Sequence, residues 1–116
     1  MKQVFTAINR SDETGAPAGG TVRGKGLAID WQEGPLAVDG ERTEPNGCFV
    51  ETVLEAAIVR LDYYQGTRFA CDENAEAVEH VRAAVRALES RTQRRTVGGV
   101  EGSHGLVEGD AGFRLT

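Results

Sequence analysis

Two arginines late in the chain have the type and spacing that most clearly suggest chemistry. Arg91 and Arg94 are three residues apart, so they share one face if this stretch is helical. Each guanidinium can donate two parallel hydrogen bonds, which fits a diphosphate or a cyclic phosphate. A solvated helix end that attracts arginine through the helix dipole would explain the same residues without a ligand. The pair is a candidate phosphate site with that alternative open.

An aromatic ring and an amide stand at the other end of the same stretch. Tyr64 closes the first of two predicted helices, and Asn74 opens the second. In an antiparallel hairpin both lie at the tip, about 25 Å from Arg91 at 1.5 Å per residue. One protomer therefore cannot bring both groups onto a small ligand, whereas two protomers packed head to tail could. A base would then stack on the ring while its phosphates meet the arginines.

Catalytic and metal chemistry find little support. The sequence contains no nucleophile elbow, phosphate-binding loop or zinc motif. His80 and His104 have no Cys or His at ligand spacing. Cys48 and Cys71 are expected to be reduced thiols, because the starts of two antiparallel helices lie too far apart for a disulfide. We expect no catalytic residue, no metal, no cofactor and no enzymatic activity.

Glycine and proline divide the chain into the parts that must position these residues. All three prolines lie at or before Pro45, and Gly66 is the one glycine between residues 48 and 97. The helical part is therefore confined to the middle. The prediction is an α+β fold in a single domain, 1–116, with short antiparallel strands in 1–45, an antiparallel two-helix hairpin in 46–95 and a glycine-rich tail in 96–116.

The first part has the patterns of short strands. Residues 4–8 are β-prone, whereas residues 11–20 are polar and glycine-rich, which predicts a loop. Asp39-Gly40 predicts a hairpin turn. A second strand is predicted by alternation that places three apolar residues on one side, Leu27, Ile29 and Trp31.

The helices have recognisable ends and one packing seam. Asn46 is a good N-cap for a first helix whose apolar periodicity starts at Val50, and Cys71 or Asp72 opens the second helix. A chain of 116 residues has a small core, so burial between protomers is an expected source of stability. We therefore predict a homo-oligomer, and the second helix offers a coiled-coil-type seam formed by Val78, Val81, Val85 and Leu88.

The charge argues against nucleic acid as a partner. The formal net charge is −5 and the pI is about 5.0, whereas nonspecific nucleic-acid binding needs a basic face. The five arginines between Arg82 and Arg95 leave a regulator that binds nucleic acid through one helix as a minor alternative. No apolar run reaches transmembrane length. We expect a cytoplasmic protein that contacts neither membrane nor nucleic acid.

The hairpin and the residues after it resemble a known group of small phage proteins. The similarity is carried by Arg60-Leu61-Asp62-Tyr63-Tyr64-Gln65, Phe69-Ala70-Cys71-Asp72-Glu73-Asn74-Ala75-Glu76-Ala77, Arg91-Thr92-Gln93-Arg94 and Gly99-Val100-Glu101-Gly102-Ser103-His104. These segments are similar to the anti-Thoeris sponges and their shorter anti-CBASS relatives. The resemblance implies a non-catalytic protein that sequesters a cyclic nucleotide immune signal, either a glycocyclic ADP-ribose type or a cyclic oligonucleotide. It also implies a dimer or higher oligomer that holds the ligand between protomers.

The same resemblance implies which residues bind the ligand. Tyr64, Asn74, Arg91 and Arg94 stand at intervals of 10, 17 and 3, which fits the aromatic, the asparagine and the Arg-x-x-Arg pair of the anti-Thoeris proteins. Tyrosine replaces the phenylalanine expected there, and it keeps the stacking surface. The alternative is a small phage interaction protein whose hairpin only dimerises or contacts a host protein. The segment 98–104 has no assigned role.

Overall fold

Short strands precede two helices in the computed structural model, which describes residues 1–38, 40–101 and 105–111. The helices are α1, Val50–Gln65, and α2, Asp72–Val97. This arrangement confirms the α+β class. The strands are β1 (Phe5–Ser11), β2 (Pro17–Gly24), β3 (Leu27–Asp30), β4 (Ala37–Val38) and β5 (Glu41–Arg42).

The first three strands form an antiparallel sheet with β2 in the centre. Gly24 of β2 pairs with Leu27, and Val22 pairs with Ile29, so the two β3 residues share one face as their alternation predicted. The loop predicted for residues 11–20 is wrong in its second half, because Pro17 begins the central strand. A separate two-stranded ribbon pairs β4 with β5.

Gly20 explains how a glycine-rich segment can occupy the centre of a sheet. It pairs with Asn9 of β1, and its φ of +151° lies where side chains are strained. A Cβ at this position would lie 2.3 Å from the backbone oxygen of Ile8 and 3.1 Å from the Cα of Asn9. Glycine is thus required for β1 to approach β2 this closely, although glycine in a sequence usually indicates a loop.

Replacing Gly20 by alanine is expected to destabilise the sheet by about 1–3 kcal/mol or more, because backbone strain adds to the overlap with Ile8. The matched control is Gly15→Ala, since Gly15 also has a positive φ of 85° but has open space around it. Thermal unfolding of both variants measures the difference. Equal losses for the two would contradict a steric role for Gly20.

Asn46 does not cap α1, which begins four residues later at Val50. Its side chain instead pairs with the backbone of Glu33 through two hydrogen bonds of 2.8 Å, accepting from the amide and donating to the carbonyl. Its own backbone amide donates to Oε1 of Gln32 at 2.8 Å. The local sequence predicts a helix cap, but the side-chain amide of Asn46 instead hydrogen-bonds to both the amide and the carbonyl of Glu33.

An ion pair joins β5 to the start of the C-terminal segment. Both guanidinium Nη atoms of Arg42 donate to the carboxylate of Glu101, and the Nη2–Oε1 distance is 2.9 Å. These hydrogen bonds, together with the negative charge of Glu101, raise the pKa of Arg42. Residues 102–104 and 112–116 of the predicted glycine-rich tail lie outside the described residues, as does Asp39 of the predicted turn.

Contacts between α1 and α2 confirm the antiparallel hairpin. Asp62, near the end of α1, lies 3.0 Å from Arg82, and Glu51, near its start, lies 3.6 Å from Arg91. Within the hairpin, whose residues are all described, Val78 and Val85 are the buried apolar side chains, at 6% and 7% exposure. Two buried valines are a small core for two helices of 16 and 26 residues.

Backbone contacts group the chain into two units. One consists of the described residues within Met1–Phe49 and Val100–Thr116, and the other is the hairpin, Val50–Gly99. Folding of residues 1–116 as a single domain stays a prediction. Among the described residues, neither helix has the length and apolar character needed to cross a bilayer.

Candidate ligand-binding site

The tip of the hairpin is held by the side chain of Gln65, the last residue of α1. Its amide nitrogen donates to the carbonyl of Cys71 at 3.0 Å, and its amide oxygen accepts from the Cys71 amide at 3.1 Å. Cys71 is the N-cap residue of α2, with extended backbone at φ −158° and ψ 164°. One side chain thereby fixes the end of α1 against the start of α2.

Tyr64 and Asn74 lie at this tip, joined by hydrogen bonds through the linker. The Tyr64 carbonyl accepts from the amide and hydroxyl of Thr67, at 3.0 and 2.6 Å. The Thr67 hydroxyl accepts from the Phe69 amide at 3.1 Å, and the Phe69 carbonyl accepts from Nδ2 of Asn74 at 3.3 Å. The backbone of Tyr64 and the side-chain amide of Asn74 are therefore connected by hydrogen bonds within the linker.

Arg60 adds a charge to this tip that sequence reasoning missed. Its guanidinium carbon lies 4.9 Å from the ring centroid of Tyr64 and 5.1 Å from that of Tyr63. Its Nε also donates to the hydroxyl of Tyr64 at 3.2 Å. The signal was present, because residues four apart on a helix are neighbours and arginine favours aromatic faces.

The two arginines that are predicted to bind phosphate lie at the other end of the hairpin. Arg91 is about half exposed and its Nη2 lies 3.6 Å from Oε1 of Glu51, beside the first turn of α1. Arg94 is half-buried, and its carbonyl accepts from the amide of Gly98 where α2 ends. The two arginines share a helix face three residues apart, as the sequence predicted.

The structure thus places the four predicted residues in two separate pairs, one at each end of the hairpin. Tyr64 and Asn74 share the tip, whereas Arg91 and Arg94 lie about 25 Å away along α2 at 1.5 Å per residue. The tip offers aromatic rings, an amide and a cation, which suit a base. The other end offers two guanidinium groups, which suit phosphates.

A comparison with known proteins finds a relative of this chain. The chain is 37% identical over 81 residues to "Thoeris anti-defense 1" of Bacillus phage SBSphiJ7, and the match covers 70% of the chain. The chain spans about half of the length of that relative, at 54%. No protein-family model matches the sequence.

Proposed function

We propose that this anti-Thoeris-like protein is a phage anti-defence sponge, which binds a cyclic nucleotide immune signal in the cytoplasm of the host and holds it without degrading it. The similarity to Thoeris anti-defense 1 is the observation that carries the anti-defence role. The signal would be a cyclic ADP-ribose-type molecule or a cyclic oligonucleotide. Sequestration needs only tight binding, so the site requires neither an activated nucleophile nor a metal.

The two ends of the hairpin support a nucleotide as the ligand. A cyclic nucleotide combines flat bases with negatively charged phosphates in one small molecule. The tip supplies Tyr64 and Asn74, and the other end supplies Arg91 and Arg94. Since the two pairs lie too far apart within one hairpin, the proposal places the ligand between two protomers, with one pair from each.

Binding should raise the melting temperature of the protein. A ligand present at a hundred times its Kd stabilises the folded state by about 2.7 kcal/mol, which corresponds to a shift of roughly 10 °C or more for a protein of this size. Thermal shift with cyclic ADP-ribose-type nucleotides and cyclic oligonucleotides measures this. Linear ADP-ribose and linear oligonucleotides are the matched control ligands.

The bound nucleotide should also come back unchanged. After the complex is heated and the protein removed, chromatography is expected to recover the cyclic form in full. A linear product that forms only when the protein is present would identify an enzyme instead. If no cyclic nucleotide shifts the melting temperature, the proposed function is wrong.

A further inference from the structure

Two aromatic rings hold Arg60 at the tip of the hairpin. Its guanidinium carbon lies 5.1 Å from the ring centroid of Tyr63 and 4.9 Å from that of Tyr64. In the part of the chain that the structure describes, no Asp or Glu forms an ion pair with Arg60. The acid nearest to it in the sequence, Asp62, pairs instead with Arg82 at 3.0 Å. The hairpin therefore leaves the charge of Arg60 without a carboxylate partner.

Most of the hydrogen-bond donors of Arg60 are also unused. A guanidinium group carries five N–H donors. Arg60 uses the one on Nε, which donates to the hydroxyl of Tyr64 at 3.2 Å. Among the described residues, neither Nη atom of Arg60 has a protein acceptor within hydrogen-bonding distance. Since the residue is exposed, the four N–H groups on its Nη atoms are available to an acceptor from outside the chain.

Unused donors on both Nη atoms of an arginine suit a phosphate. Parallel N–H groups of a guanidinium match two phosphate oxygens, and the group stays charged throughout the physiological pH range. The tyrosine rings hold the guanidinium without using these donors, so less side-chain freedom is lost when an anion binds. The ring of Tyr64 is also the surface on which a base is proposed to stack. The tip therefore has separate groups for a base and for a phosphate beside it.

We propose that Arg60 binds the phosphate of the nucleotide unit whose base stacks on Tyr64. In a nucleotide one ribose separates the phosphate from the base, so an arginine that contacts the stacking ring is placed to reach that phosphate. Arg91 and Arg94 of the same hairpin lie about 25 Å away at 1.5 Å per residue, and they are left for the other phosphate of the ligand. This inference rests on the proposed function for the identity of the ligand, and it adds a third arginine to the site.

Arg68 provides a matched comparison within the same tip. It is exposed like Arg60, and its guanidinium carbon lies 4.6 Å from the ring centroid of Phe69. It also has no ion pair within the described residues. The difference is the ring, because Arg60 contacts Tyr64 through both its guanidinium group and its Nε. A general effect of positive charge at the tip would involve both arginines, whereas a phosphate beside Tyr64 involves Arg60.

The ratio of two dissociation constants isolates the phosphate contact. AMP and adenosine share the base and the ribose, so the ratio of their dissociation constants measures what the phosphate adds. We expect the full chain to bind AMP about tenfold more tightly than adenosine, as one charge-assisted hydrogen bond predicts. Arg60→Ala should reduce this ratio to less than about threefold and leave adenosine binding nearly unchanged. Titrations followed by NMR detect such weak binding, and GMP with guanosine is the second pair of probes.

Two further variants control this measurement. Arg68→Ala removes the same charge from the same tip and should keep the ratio of the parent within about threefold. Arg60→Lys keeps the charge but loses the planar fork, so its ratio should lie between those of the parent and Arg60→Ala. Alanine suits a helix position and Arg60 has no ion pair to lose within the described residues, so the melting temperatures of these variants should stay close to that of the parent.

The outcomes separate this inference from the proposed function. A parent that prefers neither AMP nor GMP over its nucleoside overturns the inference, and so does an Arg60→Ala variant that keeps the ratio of the parent. Equal losses in Arg68→Ala overturn it as well. If the ratio falls in Arg91→Ala instead, the phosphate beside the base is bound by that arginine and the role assigned to Arg60 is wrong. If the ratios behave as expected but no cyclic nucleotide binds, Arg60 remains a phosphate-binding residue and the proposed function falls.

Discussion

Arg91→Ala and Arg94→Ala are each expected to weaken nucleotide binding by about tenfold to a hundredfold. A charge-assisted hydrogen bond to a phosphate contributes about 1.5–3 kcal/mol, and 1.4 kcal/mol is a factor of ten in affinity. Both residues lie beyond Leu88, outside the buried valines of the hairpin, so the fold should survive. Calorimetric titration of the parent and both variants measures the loss, and circular dichroism checks the helices.

The controls separate a phosphate contact from a general effect of charge. Arg91→Lys keeps the positive charge but loses the planar fork, so it should recover only part of the affinity. Arg10→Ala removes one positive charge from an exposed position of β1 and should leave the affinity within about threefold. Arg82 is unsuitable as a control, because it pairs with Asp62 of α1 at 3.0 Å and so contributes to the packing of the hairpin.

The pairing of Arg91 with Glu51 makes this test more demanding. A phosphate that binds Arg91 would have to share the guanidinium group with the carboxylate of Glu51 or displace that carboxylate, which already lies 3.6 Å away. The pair is exposed enough that its own contribution to stability is small, so a ligand phosphate can compete. If both alanine variants bind the nucleotide as tightly as the parent, the arginines only end the helix and the site lies elsewhere.

The hairpin could be predicted from the sequence because its signals are local. Apolar residues at helical spacing, the break at Gly66 and the opening of α2 at Asp72 each depend on a few neighbouring residues. Antiparallel packing then followed from the short linker. That step placed Tyr64 and Asn74 together and set them apart from the arginines, which the ion pair between Arg91 and Glu51 confirms.

The sheet was predicted less well because its decisive contacts are distant in sequence. The sequence predicts a loop at Gly20, because no neighbouring residue shows that the backbone oxygen of Ile8 must approach this position closely. The sequence predicts a helix cap at Asn46, because its actual partner, Glu33, lies thirteen residues away in the chain. Arg60 is a different case, because its spacing from Tyr64 is local but an exposed arginine on a helix rarely indicates a site.

Tyr64→Ala is expected to lower nucleotide affinity by about fivefold to more than a hundredfold. Stacking of a base on an aromatic side chain contributes about 1–3 kcal/mol in proteins that bind single strands. The variant should keep the tip intact, because Tyr64 holds Thr67 through its backbone carbonyl rather than its ring. Calorimetric titration with the cyclic nucleotide found by thermal shift measures the change.

Two neighbouring variants show whether the ring of Tyr64 is the stacking surface. Tyr64→Phe keeps the ring and loses only the hydroxyl that accepts from Arg60, so its affinity should stay within about threefold of the parent. Tyr63→Ala removes the other ring that lies under Arg60 and should be equally mild, because the proposed site does not use it. If Tyr63→Ala weakens binding more than Tyr64→Ala, the base stacks on the other tyrosine. If Tyr64→Phe is as damaging as Tyr64→Ala, the hydroxyl and its hold on Arg60 matter more than stacking, and the role assigned to the ring is wrong.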